Sequence, residues 1–386
     1  MKPKSLLVPG IAGLLLSGCQ LESGPVAQTL AYVGTQASGP GEGVVAIRLD
    51  AANGSLKSLG VMAQVDKPTW VLADPAHRRM FAVSEVGNDG KSDGAVFAFS
   101  YDQETGMLRA NGQGASGGGG PTHLALSAAG ETLFVANYGT GQVAAISVGN
   151  DGRLATAPTS IAAHSGTGPN RRQKGPHAHG VTLDPSGRYL LSPDLGADRV
   201  FVYRVQPGPR QLEPADAPFV QLPAGSGPRH IVFAPDGRLA FLMAEITGMI
   251  FSYGWEPGKG KLTELSRKPL DNAGYSGPPS GSELAVSRDG RFLYAGNRAA
   301  DRIQVYAIAR SGALALVQSI DCGGKVPWGF ALSGSGKWLV VANQGSGNLA
   351  SFAVNRSSGR LKATGNRLEL GKPTSVSFTD RCKDLP

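Results

Sequence analysis

Short apolar or alternating runs with turn residues between them recur along the whole chain, as in Leu133-Phe134-Val135-Ala136, Phe292-Leu293-Tyr294-Ala295 and Gln304-Val305-Tyr306-Ala307-Ile308. Runs of this length, rich in β-branched and aromatic residues, predict strands, and helical periodicity is sustained nowhere. The runs also repeat. A turn marker of Gly-x-Leu spacing stands at Gly54/Leu56, Gly106/Leu108, Gly152/Leu154, Gly260/Leu262, Gly312/Leu314 and Gly359/Leu361, and Arg210-Gln211-Leu212 fills the one gap, which makes seven copies. A second marker precedes an apolar run at Asp74-Pro75-Ala76-His77, Ser127-Ala128-Ala129-Gly130, Asp184-Pro185-Ser186-Gly187, Ala234-Pro235-Asp236-Gly237, Ser287-Arg288-Asp289-Gly290 and Ser333-Gly334-Ser335-Gly336. A repeat of about fifty residues with several short strands per unit predicts an all-β, seven-bladed β-propeller.

The second marker is complete only six times, and the missing copy locates the closure of the ring. Pro68, Pro121, Pro228, Pro327 and Pro373 each stand five residues before the last apolar residue of a strand (Ala73, Leu126, Phe233, Leu332 and Phe378). Residues 373–378 therefore open a further blade that lacks a second strand. Leu30-Ala31-Tyr32-Val33-Gly34-Thr35 resembles the second strands at Leu133 and Phe292 and supplies it. The N- and C-terminal segments are thus expected to share one blade, leaving only short, protected sheet edges. A repeat array buries its core between neighbouring units, so residues 30–380 read as one domain without an internal linker.

Composition fits a turn-rich β fold, with 55 Gly and 26 Pro in 386 residues. The start of the chain reads differently. Lys2 and Lys4 precede an apolar stretch from Leu6 to Leu16, and Leu16-Ser17-Gly18-Cys19 has the small residues and the Cys of a bacterial lipobox. This predicts a lipoprotein signal peptide over residues 1–18, lipidation of Cys19, a tether over 19–29 and a C-terminal tail over 381–386. The apolar stretch is shorter than the roughly twenty residues of a membrane span. A periplasmic protein held in the cell envelope by its lipid is expected, as a monomer. Of the remaining cysteines, Cys322 and Cys382 fall toward opposite faces in the repeat register, which argues against a disulfide. The formal charge of +8 includes Lys2 and Lys4, so 8 − 2 leaves +6 after cleavage. That favours anionic ligands or surfaces, but the longest basic run is Arg171-Arg172 and no recognition motif occurs, so no nucleic-acid partner is expected.

Stacking the units brings two sets of positions toward one mouth of the central channel. Those following the strand-opening Pro, or its equivalent, are Thr69/Trp70, Thr122/His123, His179/Gly180, Arg229/His230, Ser282/Glu283, Trp328/Gly329 and Thr374/Ser375. Those at the end of the next strand are Ser84/Glu85, Asn137/Tyr138, Asp194/Leu195, Ala244/Glu245, Asn297/Arg298 and Asn343/Gln344. Repeat packing asks for small or apolar residues here, so the ionisable ones point to chemistry. His177 lies nearby. His77, His123 and His164 are expected to be structural or solvent-exposed.

Several of these segments are similar to the seven-bladed lactonase family, which includes the propeller type of 6-phosphogluconolactonase and the fungal carboxymuconate cycloisomerases. They are Pro176-His177-Ala178-His179 leading into Leu183-Asp184-Pro185-Ser186-Gly187-Arg188, Gly227-Pro228-Arg229-His230 with Glu245, Glu283 with Gly296-Asn297-Arg298, and Ala342-Asn343-Gln344. The resemblance spans nearly all of residues 30–380. It implies a lactone hydrolase whose active His, Arg, Glu and second Arg fall on His179, Arg229, Glu245 and Arg298. Relatives often carry Arg after the Pro of the sixth unit, where this chain has Pro327-Trp328-Gly329. One cationic contact is lost and an aromatic wall gained.

Opening a sugar lactone needs an activated water, stabilisation of the carbonyl oxygen as charge develops, and a proton for the departing ring oxygen. Glu245 or His179 is the expected base, Arg229 the oxyanion partner and Arg298 the holder of an anionic substituent. His230 and Glu283 are expected to share a proton, and Asp194, Asn343 and His177 to line the substrate site. No cofactor is expected. His177-Ala178-His179 with Glu245 and Glu283 could suggest a metal, but no metal site is assigned, and no HExxH, CxxC, P-loop or Gly-x-Ser-x-Gly motif occurs. Two other readings stay open: a lactonase for an unphosphorylated aldonolactone, and a non-enzymatic envelope propeller binding carbohydrate or protein through the same mouth.

Overall fold

A computed structural model describes residues 28–39, 42–206, 211–271 and 274–380. The leader, most of the tether and the tail, with Cys19 and Cys382, lie outside the described residues. Seven four-stranded antiparallel sheets are arranged as blades. Counting in chain order, blades 1 to 6 occupy residues 71–115, 121–163, 182–221, 228–269, 281–321 and 327–369. In blade 7 the C-terminal strand Pro373–Phe378 is innermost and pairs with the N-terminal strand Gln28–Thr35 (Ala31↔Phe378, Val33↔Val376). The shared blade is therefore as the sequence implied. The N-terminal strand also takes in Gln28 and Thr29, at the end of the expected tether.

Each innermost strand runs away from the mouth, so the strand-opening prolines stand at the mouth and both turn markers on the opposite, far face. The Gly-x-Leu marker has a packing cause. Gly359 adopts a left-handed φ of 72°, and a Cβ there would come within 2.4 Å of the Phe292 ring of the preceding blade. Only a turn without a side chain lets neighbouring blades close at this point, while the Leu two residues on is buried between them, as Leu361 is.

The core is accordingly divided. Seven apolar clusters fill the seven junctions between blades, for example Tyr189, Leu191, Ile231, Leu242 and Phe251 between blades 3 and 4. Buried polar atoms between blades are satisfied across the same junctions: Tyr294 Oη donates to Gly359 O (3.1 Å) and Ser351 Oγ to Gly54 O (2.6 Å). Cys322 is a free, buried thiol, and its burial pushes its pKa up to about 12, out of the reactive range.

Candidate active site

Two backbone devices place side chains at the mouth. The first is a bulge at the start of innermost strands: the register shifts between Pro228 and His230, between Pro121 and His123, between Pro327 and Gly329, and between Gly281 and Leu284. A bulge breaks the strict alternation of a strand. Arg229 and His230 consequently both meet mouth residues, as do Ser282 and Glu283. The second device is plain alternation at the end of the second strand. There the first residue of each pair is buried in the frame, and in blades 1, 2, 4, 5 and 6 the next meets other mouth residues, whereas Leu195 of blade 3 is buried.

That alternation corrects the expectation for Asp194 and Asn343. Asp194 Oδ1 accepts from the His177 and Ala197 amides (both 2.8 Å), and its Oδ2 lies 2.7 Å from His164 Nδ1. Asn343 Nδ2 donates to Cys322 O (3.0 Å). Neither side chain lines the mouth; each fixes the loop beside it. Their successors and counterparts Glu85, Tyr138, Glu245, Arg298 and Gln344 instead contact other mouth residues.

Glu245 is the hub. Its Oε1 accepts from Arg172 Nη1 (2.5 Å), and its Oε2 lies 2.8 Å from Arg298 Nη2, 3.2 Å from Arg229 Nε and 3.6 Å from His179 Nε2. Burial pushes the carboxyl up, but Arg298, His179, Arg172 and Arg229 together hold it well below the usual carboxylate range. Burial, the largest cause, lowers His179 and Arg229 lowers it further, while Glu245 opposes them; the net shift is well downward, which favours the neutral ring. Arg229 is brought down to about 10 by burial and by Arg298, and stays protonated. His230 Nδ1 lies 3.0 Å from Glu283 Oε1 and 3.1 Å from Arg229 Nη1, while burial raises Glu283. The one ring nitrogen serves these two neighbours in turn: with a proton it donates to Glu283, and without one it accepts from Arg229.

Five polar atoms of this cluster are buried without an aligned hydrogen bond: His179 Nδ1, His230 Nε2, Glu245 Oε2, Arg229 Nε and Arg298 Nε. The close approach of Arg229 and Arg298 to Oε2 is thus an ion contact, not an aligned bond. Such unspent capacity in one place is uncommon in folded proteins and marks a site for polar ligand atoms.

Three further residues belong here. Arg172, which stands outside the repeat register on the connection between Ala163 and Thr182, also donates to Tyr138 Oη (3.1 Å). Its only sequence trace was the basic pair Arg171-Arg172. His123 is structural as expected, its Nδ1 accepting from the Val181 amide (3.3 Å), but its ring also lies tilted against Trp70 (4.1 Å between centroids) and edgewise on His230 (4.6 Å). Trp328 takes the Arg298 guanidinium on its face at 4.7 Å. His177 packs on Tyr138 (4.6 Å) at the edge of the cluster, and its Nδ1 lies 2.7 Å from Tyr138 O. Three carboxyl groups, on Glu85, Glu245 and Glu283, face three guanidiniums, on Arg172, Arg229 and Arg298. Glu85, raised by burial, accepts from Thr69 Oγ1 (2.5 Å). Among the described residues no group of three His, Cys, Asp or Glu side chains is placed to hold a metal ion.

The family model described as "Lactonase, 7-bladed beta-propeller" matches residues 30–378. A 6-phosphogluconolactonase of Bacillus subtilis is 30% identical over 350 residues, covering 90% of this chain and 98% of that one. A protein of the same name from Formosa agariphila is 27% identical over 347 residues, covering 88% and 96%. Among solved structures, the periplasmic gluconolactonase PpgL of Pseudomonas aeruginosa superposes with a TM-score of 0.85 at 37% identity, covering 91% of this chain and 99% of that chain.

Proposed function

The chain belongs to the seven-bladed β-propeller lactonase family, and from that premise we propose that it opens an unphosphorylated sugar lactone at the propeller mouth. It is a lactone hydrolase. The observation that carries the site assignment is the convergence of five buried polar atoms without aligned partners on His179, Arg229, His230, Glu245 and Arg298. A lactone offers what they lack: a carbonyl oxygen, a ring oxygen and hydroxyl groups.

His179 is the base. A neutral imidazole takes the proton of the attacking water, whereas Glu245, held ionised by three guanidiniums, is a weak proton acceptor. Glu245 instead stabilises the imidazolium as it forms. Arg229 stabilises the oxyanion at the former carbonyl. Collapse of that intermediate breaks the bond from acyl carbon to ring oxygen. His179 returns the water's proton to the departing oxygen, so water and lactone leave as one hydroxy acid.

The charge at the mouth favours a substrate without phosphate. Arg298 is matched by Glu245 at 2.8 Å and covered by Trp328, so it has no free charge to hold a phosphate dianion. Two further observations agree: the 37% identity to a periplasmic gluconolactonase and the lipobox at Cys19. The protein works in the periplasm, anchored through Cys19. Lactone opening followed by proton release, with glucono-δ-lactone and its 6-phosphate side by side, tests this. Expected is turnover above spontaneous opening, with kcat/KM at least about tenfold higher for the neutral lactone, the scale of one lost charge contact. A preference for the phosphate ester would overturn the substrate assignment, and no turnover of either the activity.

A further inference from the structure

The far face, opposite the mouth, is electrically lopsided. Its six turns in blades 4 to 6, at residues 234–239, 256–261, 287–292, 308–314, 333–338 and 354–361, carry nine Lys or Arg and three Asp or Glu, a net +6. Six described turns across blades 7, 1, 2 and 3, at 50–56, 74–79, 101–108, 127–132, 148–154 and 184–189, carry four and seven, a net −3. All three acids of the basic sector are already paired to neighbours: Asp236 with Arg238, Glu256 with Lys259 and Asp289 with Arg291. Lys261, Arg288, Arg310, Lys337, Arg356 and Arg360 make no ion pair among the described residues.

Two cavities open within this sector. One of about 380 Å³ has Phe292, Leu332 and Val354 in its wall with Arg288, Arg291 and Arg356 around it. The other, about 610 Å³, is lined by Arg238, Arg288, Arg291 and Arg310. Arg288 lines both, and its Nη2 is buried without a hydrogen-bond partner. Cationic rims over an apolar wall suit an amphiphile with an anionic head.

The chain itself brings this face to a membrane. The N-terminal strand starts on the far face, where Gln28 pairs with Asp50 and the Leu30 carbonyl accepts from the Thr379 amide. Next to it, Asp380 accepts from the Gly334 amide of blade 6 and lies within the field of Arg288. Cys19 is nine residues from Gln28, a reach of at most about 30 Å whatever the path. An anchor on Cys19 therefore holds the far face, beside its basic sector, toward the lipid.

We propose that the basic sector of the far face docks on the phosphate headgroups of anionic membrane lipid, so that the mouth points away from the bilayer. The orientation rests on the Cys19 anchor; the lipid binding does not. The test uses the unacylated chain from Gln20 onward, which contains the whole closed ring, and sedimentation with vesicles of phosphatidylcholine alone or with about 30% phosphatidylglycerol. Binding should be at least about tenfold stronger to the anionic vesicles and fall away in high salt. The triple variant Arg288→Glu/Arg310→Glu/Arg356→Glu should lose that preference. Lys91→Glu/Arg171→Glu/Lys174→Glu, with the same change of net charge on the mouth side, should keep it. The Gln versions of the three arginines repeat the test if charge reversal disturbs folding. Equal binding by wild type and the far-face variants, or equal loss in the mouth-side variant, would overturn the proposal. So would saturable binding of inorganic phosphate with no preference among vesicles, which would make the sector a site for a free anion. Lactone turnover, measured on the same samples, separates failure of this proposal from failure of the lactonase reading.

Discussion

At the scale of single residues, the site turns on a conflict between burial and charge around Glu245. His179 is held below its ordinary value first by burial and then by Arg229. The acid limb of kcat/KM should therefore lie below the ordinary histidine value of about 6.5. Arg229→Gln removes the second cause, so it should lower kcat/KM at least about a hundredfold and also move the acid limb to higher pH. Glu245→Gln should cost a similar factor. An acid limb that stays in place in Arg229→Gln would count against His179 as the base. Glu245 also sets a sign for stability. Its folded pKa is depressed, so its contribution is present above its unfolded value of 4.5 and lost as pH falls toward the lower folded one. Glu245→Gln should accordingly flatten the dependence of Tm on pH below about 4.5. His77, paired with Asp74 at 2.7 Å on the far face, serves as the control, and His77→Ala should leave turnover unchanged.

Much of this site was legible because repeat register places residues by counting. His179, Arg229, Glu245 and Arg298 are all found that way. Asp194 and Asn343 were misplaced because counting names a strand end, whereas the pleat decides which of two adjacent side chains faces the channel. Arg172 was invisible for the opposite reason: it stands on a connection with no equivalent in the other units, and only the closed ring brings it to Glu245.

At the scale of elements, the entrance to each of the five innermost strands that open with Pro is a left-handed joint, strained where the residue is not glycine. Lys67, Val326 and Lys372, each followed by a strand-opening Pro, have φ of 47°, 56° and 43°, and Gly227 has 66° in the same position before Pro228. Glycine alone adopts that region without cost. Lys372→Gly should therefore raise stability by about 0.5–1 kcal/mol, read from denaturant midpoints. Gly227→Ala should do the reverse, and by more, since its Cβ would come within 2.6 Å of Ile246 Cγ1. Because Gly227 leads directly into Arg229, the loss should extend to kcat. A Gly227→Ala protein with unchanged stability and turnover would contradict this account. Pro could be read from the sequence as the start of a strand; the left-handed residue before it could not, because Lys and Val carry no sign of that conformation.

At the scale of the whole molecule, the ring is held shut by the pairing of 31–35 with 373–378. Deleting residues 30–36 should remove that strand, expose a sheet edge and lower Tm sharply. Deleting 20–27 should leave Tm within a degree or two of wild type, since it spares every residue of the pairing. Similar melting for the two truncations would refute closure by the shared blade. Cys19→Ala should abolish acylation, seen as the loss of the lipid mass, without changing the melting of the ring.

The alternation at the second-strand ends has a consequence for how such a protein diversifies. Thr35, Ser84, Asn137, Asp194, Asn297 and Asn343 are all buried and bonded to their own surroundings, so they act as fixed pegs. Gln36, Glu85, Tyr138, Arg298 and Gln344, one step on, bond instead to other residues of the mouth, as Gln344 Nε2 does to Gln36 Oε1 and Arg298 to Glu245. The mouth is in effect a dial of linked letters on a scaffold indifferent to what they spell. Changes at these positions come in linked sets across neighbouring blades, yet none of them has to rebuild the ring.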